Sequence, residues 1–259
     1  MLLMKSLLVV LLCFLSTMTN AQTKVIAHRG FSGVAPENTL AAFQKAIEAG
    51  ADYFELDVHT TKNDSLVVIH DATVNRTGSN GMKGKVADMT HQELSKVHVG
   101  YLSKFGDAFA SEKIPTLREA LELAKGKIKV CIELKVHDAE KQVLQLVNEL
   151  GMHDQVIIFS FYYDVLSNIR ELDKEIPLLL LNTLANSKTI EEAKKIRATA
   201  VGVGSNPSKD FLDSAHASGI EVWKWTVNDE DKMQELIDLG IDGLITNYPE
   251  LALKLLDRK

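Results

Sequence analysis

Eight times along its length the chain alternates between a short β-branched run and a stretch with apolar residues at helical spacing. The strand-like runs are Lys24–His28, Asp52–Val58, Ile128–Lys135, Gln155–Ser160, Ile176–Leu181, Ala200–Gly204, Ile220–Val227 and Asp242–Thr246. After the first run, Leu40, Phe43, Ala46 and Ile47 mark one helical face. Asn38 or Thr39 can cap that helix, and Gly50 can end it. Strands that alternate with helices pair in parallel. Eight such units predict a closed (β/α)8 TIM barrel rather than an open sheet. The chain of 259 residues is long enough for one such domain. No internal repeat and no Pro/Gly/Ser-rich linker divides it, so residues 22–259 read as a single domain.

One interval breaks the rhythm. Strand two ends near Val58, yet a further β run, Leu66–His70, follows almost at once. A parallel crossover needs about a dozen residues or more. Asn63-Asp64 can turn the chain, so Leu66–Ile69 is expected to fold back as a hairpin arm above the barrel. A polar, glycine-bearing insertion then runs from about Asp71 to Pro115, placed as a lid or wall over one end. The helix Leu117–Lys125 returns the chain to strand three.

The first 21 residues read differently. Lys5 precedes the apolar run Leu7 to Leu15, and small residues lead up to Ala21. That is the pattern of a signal peptide cleaved after Ala21, and it predicts an exported protein, periplasmic or secreted. The apolar run is shorter than the ~20 residues a bilayer requires, so no stable membrane insertion is expected after cleavage. Leu12 before Cys13 argues against lipid attachment there. The net charge of −6, with no basic run, excludes a nucleic-acid groove and a polybasic membrane patch. Beyond the leader only Cys131 remains, so no internal disulfide can form. Nothing in the sequence sets an oligomeric state.

The chemistry-bearing residues collect where such a barrel works, at the C-terminal ends of its strands. His28 ends strand one. Glu55 and Asp57 are two apart on strand two, as Glu133 and Lys135 are on strand three, so each pair shares a face. Their neighbours Phe54, Leu56, Val58, Ile132, Leu134 and Val136 are apolar. Charges in such strands cannot enter the helix layer without a large desolvation cost, so they point into the barrel mouth. Three converging carboxylates repel one another unless some are protonated or a cation sits among them. Glu55, Asp57 and Glu133 make an all-oxygen set that suits one hard ion, Mg²⁺ or Ca²⁺, better than zinc. His28 and His70 could serve as base and acid beside it, with Asp71 orienting one of them. Arg29 and Lys135 add fixed positive charge. A metal with an arginine and a lysine suits a phosphate oxyanion, so the expected substrate is a phosphodiester.

The ordered set "HRG…PENT", "ELDV", "HD", "IELK" and "TNYP" resembles the glycerophosphodiester phosphodiesterases from about Val25 to Pro249. The resemblance implies a TIM barrel with the family's insertion at Asp71–Pro115. It implies a divalent cation, calcium or magnesium, on Glu55, Asp57 and Glu133. His28 and His70 match the catalytic pair, and Arg29 and Lys135 the phosphate contacts. Glu37, within "PENT", is placed near Arg29. Trp225 matches an aromatic presented to the glycerol side. Asn63-Asp64-Ser65 departs from the family's frequent Asp-Gly turn. The implied reaction takes a small-molecule glycerophosphodiester, such as glycerophosphocholine or glycerophosphoethanolamine, to glycerol 3-phosphate and an alcohol. The nucleophile is either the substrate's own 2-hydroxyl or water.

Other readings remain open at this point. The same site could act on lysophospholipids or phosphoinositides. Glu55 and Glu133 could be the carboxylate pair of a metal-free glycoside hydrolase. The barrel could also bind a phosphorylated ligand without turnover. Four features read as structural. Gly202-Val203-Gly204 is a strand end, and Cys131 and Trp223 are packing residues. His59 shares the parity of Asp57 and serves in a supporting role. Asn75-Arg76-Thr77 matches a glycosylation acceptor, a pattern that arises readily by chance.

Overall fold

The computed structural model describes residues 22–258; the expected leader, residues 1–21, lies outside them. Nine strands form one sheet: β1 (Lys24–Ala27), β2 (Tyr53–Thr60), β3 (Leu66–Val68), β4 (Lys129–Leu134), β5 (Val156–Ser160), β6 (Leu178–Asn182), β7 (Ala200–Val203), β8 (Glu221–Lys224) and β9 (Gly243–Thr246). Eight of them run parallel, from β1 through β9, β8, β7, β6, β5 and β4 to β2. The pairing of Ile26 with Tyr53 joins β1 back to β2 and closes the barrel. The fold is the (β/α)8 barrel that the alternation predicts.

Among the described residues ten α-helices accompany the strands: α1 (Leu40–Glu48), α2 (His91–Leu94), α3 (Leu102–Phe105), α4 (Leu117–Ala124), α5 (Glu140–Glu149), α6 (Tyr163–Leu172), α7 (Ser187–Lys195), α8 (Lys209–His216), α9 (Glu230–Leu239) and α10 (Pro249–Leu255). Their starts are written locally. The Thr39 hydroxyl accepts from the backbone N–H of Ala42 and caps α1. Thr116 and Glu119 form a reciprocal capping box at α4. Pro249 opens α10, where its missing N–H leaves no bond unmade.

The strand period sorts side chains between two cores. Outward residues such as Phe54, Leu56, Ile132 and Leu134 are buried against the helices, and Phe54 stacks on Phe43 of α1 with ring centroids 4.4 Å apart. Inside the barrel, Ile26, Cys131, Phe159, Leu179, Trp223 and Ile245 form a second packed cluster. Cys131 and Trp223 are therefore the packing residues expected.

The hairpin arm is present. β3 pairs antiparallel with the end of β2, with Val58 opposite Val68 and Thr60 opposite Leu66. Asp64 takes a left-handed conformation at the turn (φ 57°). That region favours glycine but tolerates aspartate, which accommodates the departure from the Asp-Gly turn. Residues 71–115 cover a small apolar cluster of their own, including Val74, Val86, Leu94 and Ile114, which packs on Val67 and Ile69 of the arm.

Most strands end within a residue or two of the expected runs, but one is only half as long. The run Ile220–Val227 is regular only to Lys224. Trp225 N–H donates to Val203 in β7, whereas Val227 N–H donates to Ile245 in β9. Residues two apart in a regular strand donate to the same side, so the chain twists out of register there.

Gly243 of β9 makes room for the Trp223 ring, since a Cβ on it would lie 2.7 Å from the ring's Cγ. A Gly243→Ala substitution should therefore overpack the barrel interior and destabilise it by ~1–3 kcal/mol. A thermal unfolding midpoint equal to that of the wild type would contradict this packing.

Candidate active site

The loop after β1 begins the site. His28 N–H donates to Thr246 of β9 at 2.8 Å, which continues the ladder one residue past the strand. Arg29 and Gly30 then turn in the left-handed region, with φ 55° and 74°. A Cβ at Gly30 would come within 2.6 Å of the Ala42 backbone, so only glycine lets this turn seat against α1. The turn is tied to β2 as well. Arg29 N–H donates to Glu55 Oε2 at 2.8 Å, and Gly30 N–H to the Glu55 carbonyl at 3.1 Å. The "HRG" motif is thus the joint between β1, α1 and β2.

Glu55 and Asp57 project inward from β2, and Glu133 from β4, where it pairs in register with Asp57. They are 2%, 1% and 8% exposed. Each offers an oxygen within 4.8 Å of the others. Arg29 Nε lies 3.5 Å from Asp57 Oδ2, while Lys135 Nζ lies 3.3 Å from Asp57 Oδ1 and 2.7 Å from Glu133 Oε1. Burial, then the charges of Asp57 and Glu133, push Glu55 well above the usual carboxylate range. Burial and Asp57 push Glu133 up to about 7. Asp57 goes the other way. Burial would raise it, but Lys135 and Arg29 outweigh burial and hold it below its ordinary value. Glu55 Oε1 is buried without a hydrogen-bond partner. An unpaired carboxylate oxygen beside two more carboxylates, with no sulfur or imidazole in the set, fits a hard divalent cation.

The two histidines reach the mouth from different elements. His28 Nδ1 is 2.7 Å from Asn247 Oδ1, which also accepts from the Ser32 hydroxyl. Asn247 is itself fixed by its N–H bond to Asn228 Oδ1 at 2.9 Å. Desolvation, then the charge of Arg29, lowers the His28 pKa to about 4, against the bond that His28 makes to Asn247. His70 follows the arm, whose Ile69 N–H donates to the Asp57 carbonyl at 2.9 Å. His70 Nδ1 lies 2.8 Å from Asp71 Oδ1. His59 has the expected supporting role: its Nε2 is 3.1 Å from the His70 carbonyl.

His28, Arg29, Glu55, His70, Glu133 and Lys135 all line one cavity of about 110 Å³. Trp225 and Phe161 line its apolar side, edge to face at 5.4 Å. Gly202 and Gly204 leave space beneath the Trp225 ring. Glu37 does not line this cavity but meets Arg29 Nη1 at 2.9 Å. Every residue singled out from the sequence therefore falls in the site or against it.

Three contributors escaped the sequence reading. Asn38 does not cap α1; Thr39 does. Asn38 instead donates from Nδ2 to Asp57 Oδ2 at 2.7 Å and accepts from Asp57 N–H at 3.2 Å. Asn247 holds His28. Arg76 bonds both Glu37 and Asp71. Asn38 and Asn247 lie inside "PENT" and "TNYP", which was the available signal. Arg76 carried none beyond its polar surroundings.

The family model of the glycerophosphoryl diester phosphodiesterase family matches residues 28–251. A glycerophosphodiester phosphodiesterase of Caldanaerobacter subterraneus is 37% identical, over 90% of this chain and 98% of its own. One from Bacillus altitudinis is 32% identical, over 90% and 98%. The structure of an Oleispira antarctica phosphodiesterase, in complex with the product sn-glycerol-3-phosphate, superposes with a TM-score of 0.82 at 27% identity, covering 91% of this chain and 97% of that one. The chain belongs to this family: it is a phosphoric diester hydrolase, a glycerophosphodiester phosphodiesterase.

Three buried carboxylates without an ion should destabilise the protein that carries them. Glu55→Gln should therefore unfold in EDTA at a temperature equal to or above that of the wild type. A divalent cation at ~100 times its Kd should stabilise the wild type by ~2.7 kcal/mol, and Glu55→Gln should lose most of that gain. Thermal scans with EDTA, Ca²⁺ and Mg²⁺ check both. An equal ion-induced gain in the variant would remove Glu55 from the ligand set.

Proposed function

We propose that the protein hydrolyses small glycerophosphodiesters, such as glycerophosphocholine and glycerophosphoethanolamine, to glycerol 3-phosphate and the free alcohol. The observation that carries this is the pair His28 and His70, each engaged through Nδ1, lining one cavity with Arg29, Lys135, Glu55 and Glu133, with buried Asp57 against the two cations. Glu55, Asp57 and Glu133 would hold one divalent cation, Ca²⁺ or Mg²⁺. When bound, that ion supplies charge neutralisation at a phosphate oxygen and lowers the pKa of a hydroxyl beside it.

The chain's own residues supply the remainder. Arg29 and Lys135 are already fixed by ion pairs with Glu37, Asp57 and Glu133. They place positive charge where phosphate oxygens would sit, at little cost in reorganisation. The Asn247 amide oxygen can only accept, so His28 carries its proton on Nδ1 and keeps Nε2 free. His28 is neutral at ordinary pH. At Nε2 it takes the proton of the attacking oxygen, water or the substrate's 2-hydroxyl, as that oxygen bonds to phosphorus. A cyclic phosphate formed by the 2-hydroxyl is then opened by water to glycerol 3-phosphate. His70 is backed by Asp71, whose carboxylate lies against Nδ1 and orients the ring. It gives its Nε2 proton to the departing alcohol oxygen as the P–O bond breaks. Trp225 faces the glycerol portion across the apolar wall.

Neither a glycoside hydrolase nor a non-catalytic binder accounts for two histidines and two cations around the carboxylates, and neither agrees with the family. Activity on lysophospholipids has one supporting feature, the exposed Phe161 and Tyr162 beside the mouth. The apolar run before Ala21 supports export to the periplasm or medium.

Glycerol 3-phosphate release from glycerophosphocholine should stop in EDTA and return with Ca²⁺ or Mg²⁺; turnover that ignores chelation would sink the metal assignment. Preference for lysophosphatidylcholine over glycerophosphocholine would move the substrate to the lipid class. His28→Ala and His70→Ala should each lower kcat by ~10²–10⁴-fold. Wild-type kcat in both would overturn the acid–base assignment.

A further inference from the structure

Arg76 stands outside the cavity, on the polar insertion, with a side chain 39% exposed. The sequence marks it only as the middle of Asn75-Arg76-Thr77. Its guanidinium nevertheless makes four hydrogen bonds to two carboxylates. Nη1 and Nη2 donate to Glu37 Oε2 and Oε1 at 2.8 and 2.7 Å. Nε and Nη2 donate to Asp71 Oδ2 and Oδ1 at 2.8 and 3.0 Å. Each is a two-point pairing of fork and carboxylate, the strongest and most directional kind of ion pair.

The identity of those carboxylates matters more than their number. Glu37 Oε1 also accepts from Arg29 Nη1, and Asp71 Oδ1 lies against His70 Nδ1. A continuous chain of contacts thus runs Arg29–Glu37–Arg76–Asp71–His70. It joins the loop after β1 to the end of the hairpin arm, two segments that reach the mouth separately. Glu37 sits between two guanidiniums. Burial would raise its pKa, but the bond from Arg76 and the charge of Arg29 hold it below the usual range. His70 lies beyond the last ladder bond of β3, so its side chain needs support from elsewhere. The Arg76 guanidinium lies at the surface of the insertion, away from the two apolar cores of the barrel, so the barrel does not depend on this link.

We propose that Arg76 is a positioning residue, resting on the phosphodiesterase reading of the site: its fork locks Glu37 to Asp71 and so fixes Arg29 and His70 on either side of the phosphate. Arg76 touches no reacting atom. Misplacement of a catalytic group by about 1 Å can lower turnover ~100-fold, which sets the scale of the effect. A lysine at this position would keep the charge but could not make two planar two-point pairings at once.

The test compares wild type, Arg76→Ala and Arg76→Lys, all with saturating divalent cation. Turnover of glycerophosphocholine, thermal midpoint and ¹⁵N spectra of labelled histidine rings are measured on each. In Arg76→Ala, kcat should fall roughly 10- to 100-fold with KM and the thermal midpoint nearly unchanged, and added guanidinium ion should recover part of it. Arg76→Lys should stay close to Arg76→Ala. The His70 Nδ1–H, held against Asp71, should give a sharp, slowly exchanging ¹H–¹⁵N resonance in the wild type and one broadened by solvent exchange in Arg76→Ala. Wild-type kcat or wild-type His70 spectra in Arg76→Ala would overturn the proposal, as would full recovery in Arg76→Lys or a loss that merely follows stability. A wild type that releases no glycerol 3-phosphate would instead defeat the substrate reading, while the ring spectra would still decide the role of Arg76.

Discussion

The structure turns on three carboxylates inside one end of a closed sheet. Glu55, Asp57 and Glu133 are buried with oxygens within 4.8 Å of one another. At an effective dielectric of ~20, each ionised pair at that spacing repels by roughly 3.5 kcal/mol. A domain's whole stability is ~5–15 kcal/mol, so the cluster cannot be left uncompensated. Arg29 and Lys135 neutralise it in part, Asn38 pins Asp57 from two sides, and the turn after β1 donates to Glu55. What is left over, an unpartnered Glu55 oxygen among acidic neighbours, is an oxygen-rich opening for a cation. The fitness of the site for a cation and the cost of the site are the same electrostatic fact.

The rest of the barrel is arranged to bear that cost. Below the acidic layer the interior is filled by Trp223, Phe159, Leu179 and Ile245, a packed apolar plug. Outside it, α1 carries Phe43 onto Phe54, next to Glu55 in the strand. The acidic pair on β2 therefore rides on a strand held from both faces. Rigid strands fix the charged groups, while loops and the arm bring the titratable ones. His28 and His70 come from such segments, and each is restrained through Nδ1 by a neighbour, Asn247 or Asp71. Restraint at Nδ1 sets the orientation of each ring and leaves its Nε2 outside that bond.

Much of this was legible beforehand for a plain reason. Strand period fixes which residues share a face, so Glu55 with Asp57, and Glu133 with Lys135, could be paired from spacing alone. A charge flanked by buried apolar neighbours has only the mouth to enter. The hairpin arm was legible because too few residues separate Val58 from Leu66 for a crossover. Less was legible where a side chain has two local uses. Asn38 and Thr39 are both good caps, and only the approach of Asp57 decides that Asn38 is taken elsewhere. Val227 carried strand-like propensity, yet its N–H turns to β9 where regular geometry would send it to β7.

The sequence by itself determined the barrel, the acidic face, the histidines and the two cations, because each follows from periodicity, connection length or the cost of burying charge. Only the tertiary structure decided which partners fix them. Asn247 meets His28 across 219 positions of sequence, and Arg76 meets Glu37 across 39. Such contacts depend on how closure brings β9 beside β1 and how the insertion folds back over the mouth. No local pattern encodes them, since a hydrogen bond between distant residues is set by the packing that brings them within about 3 Å.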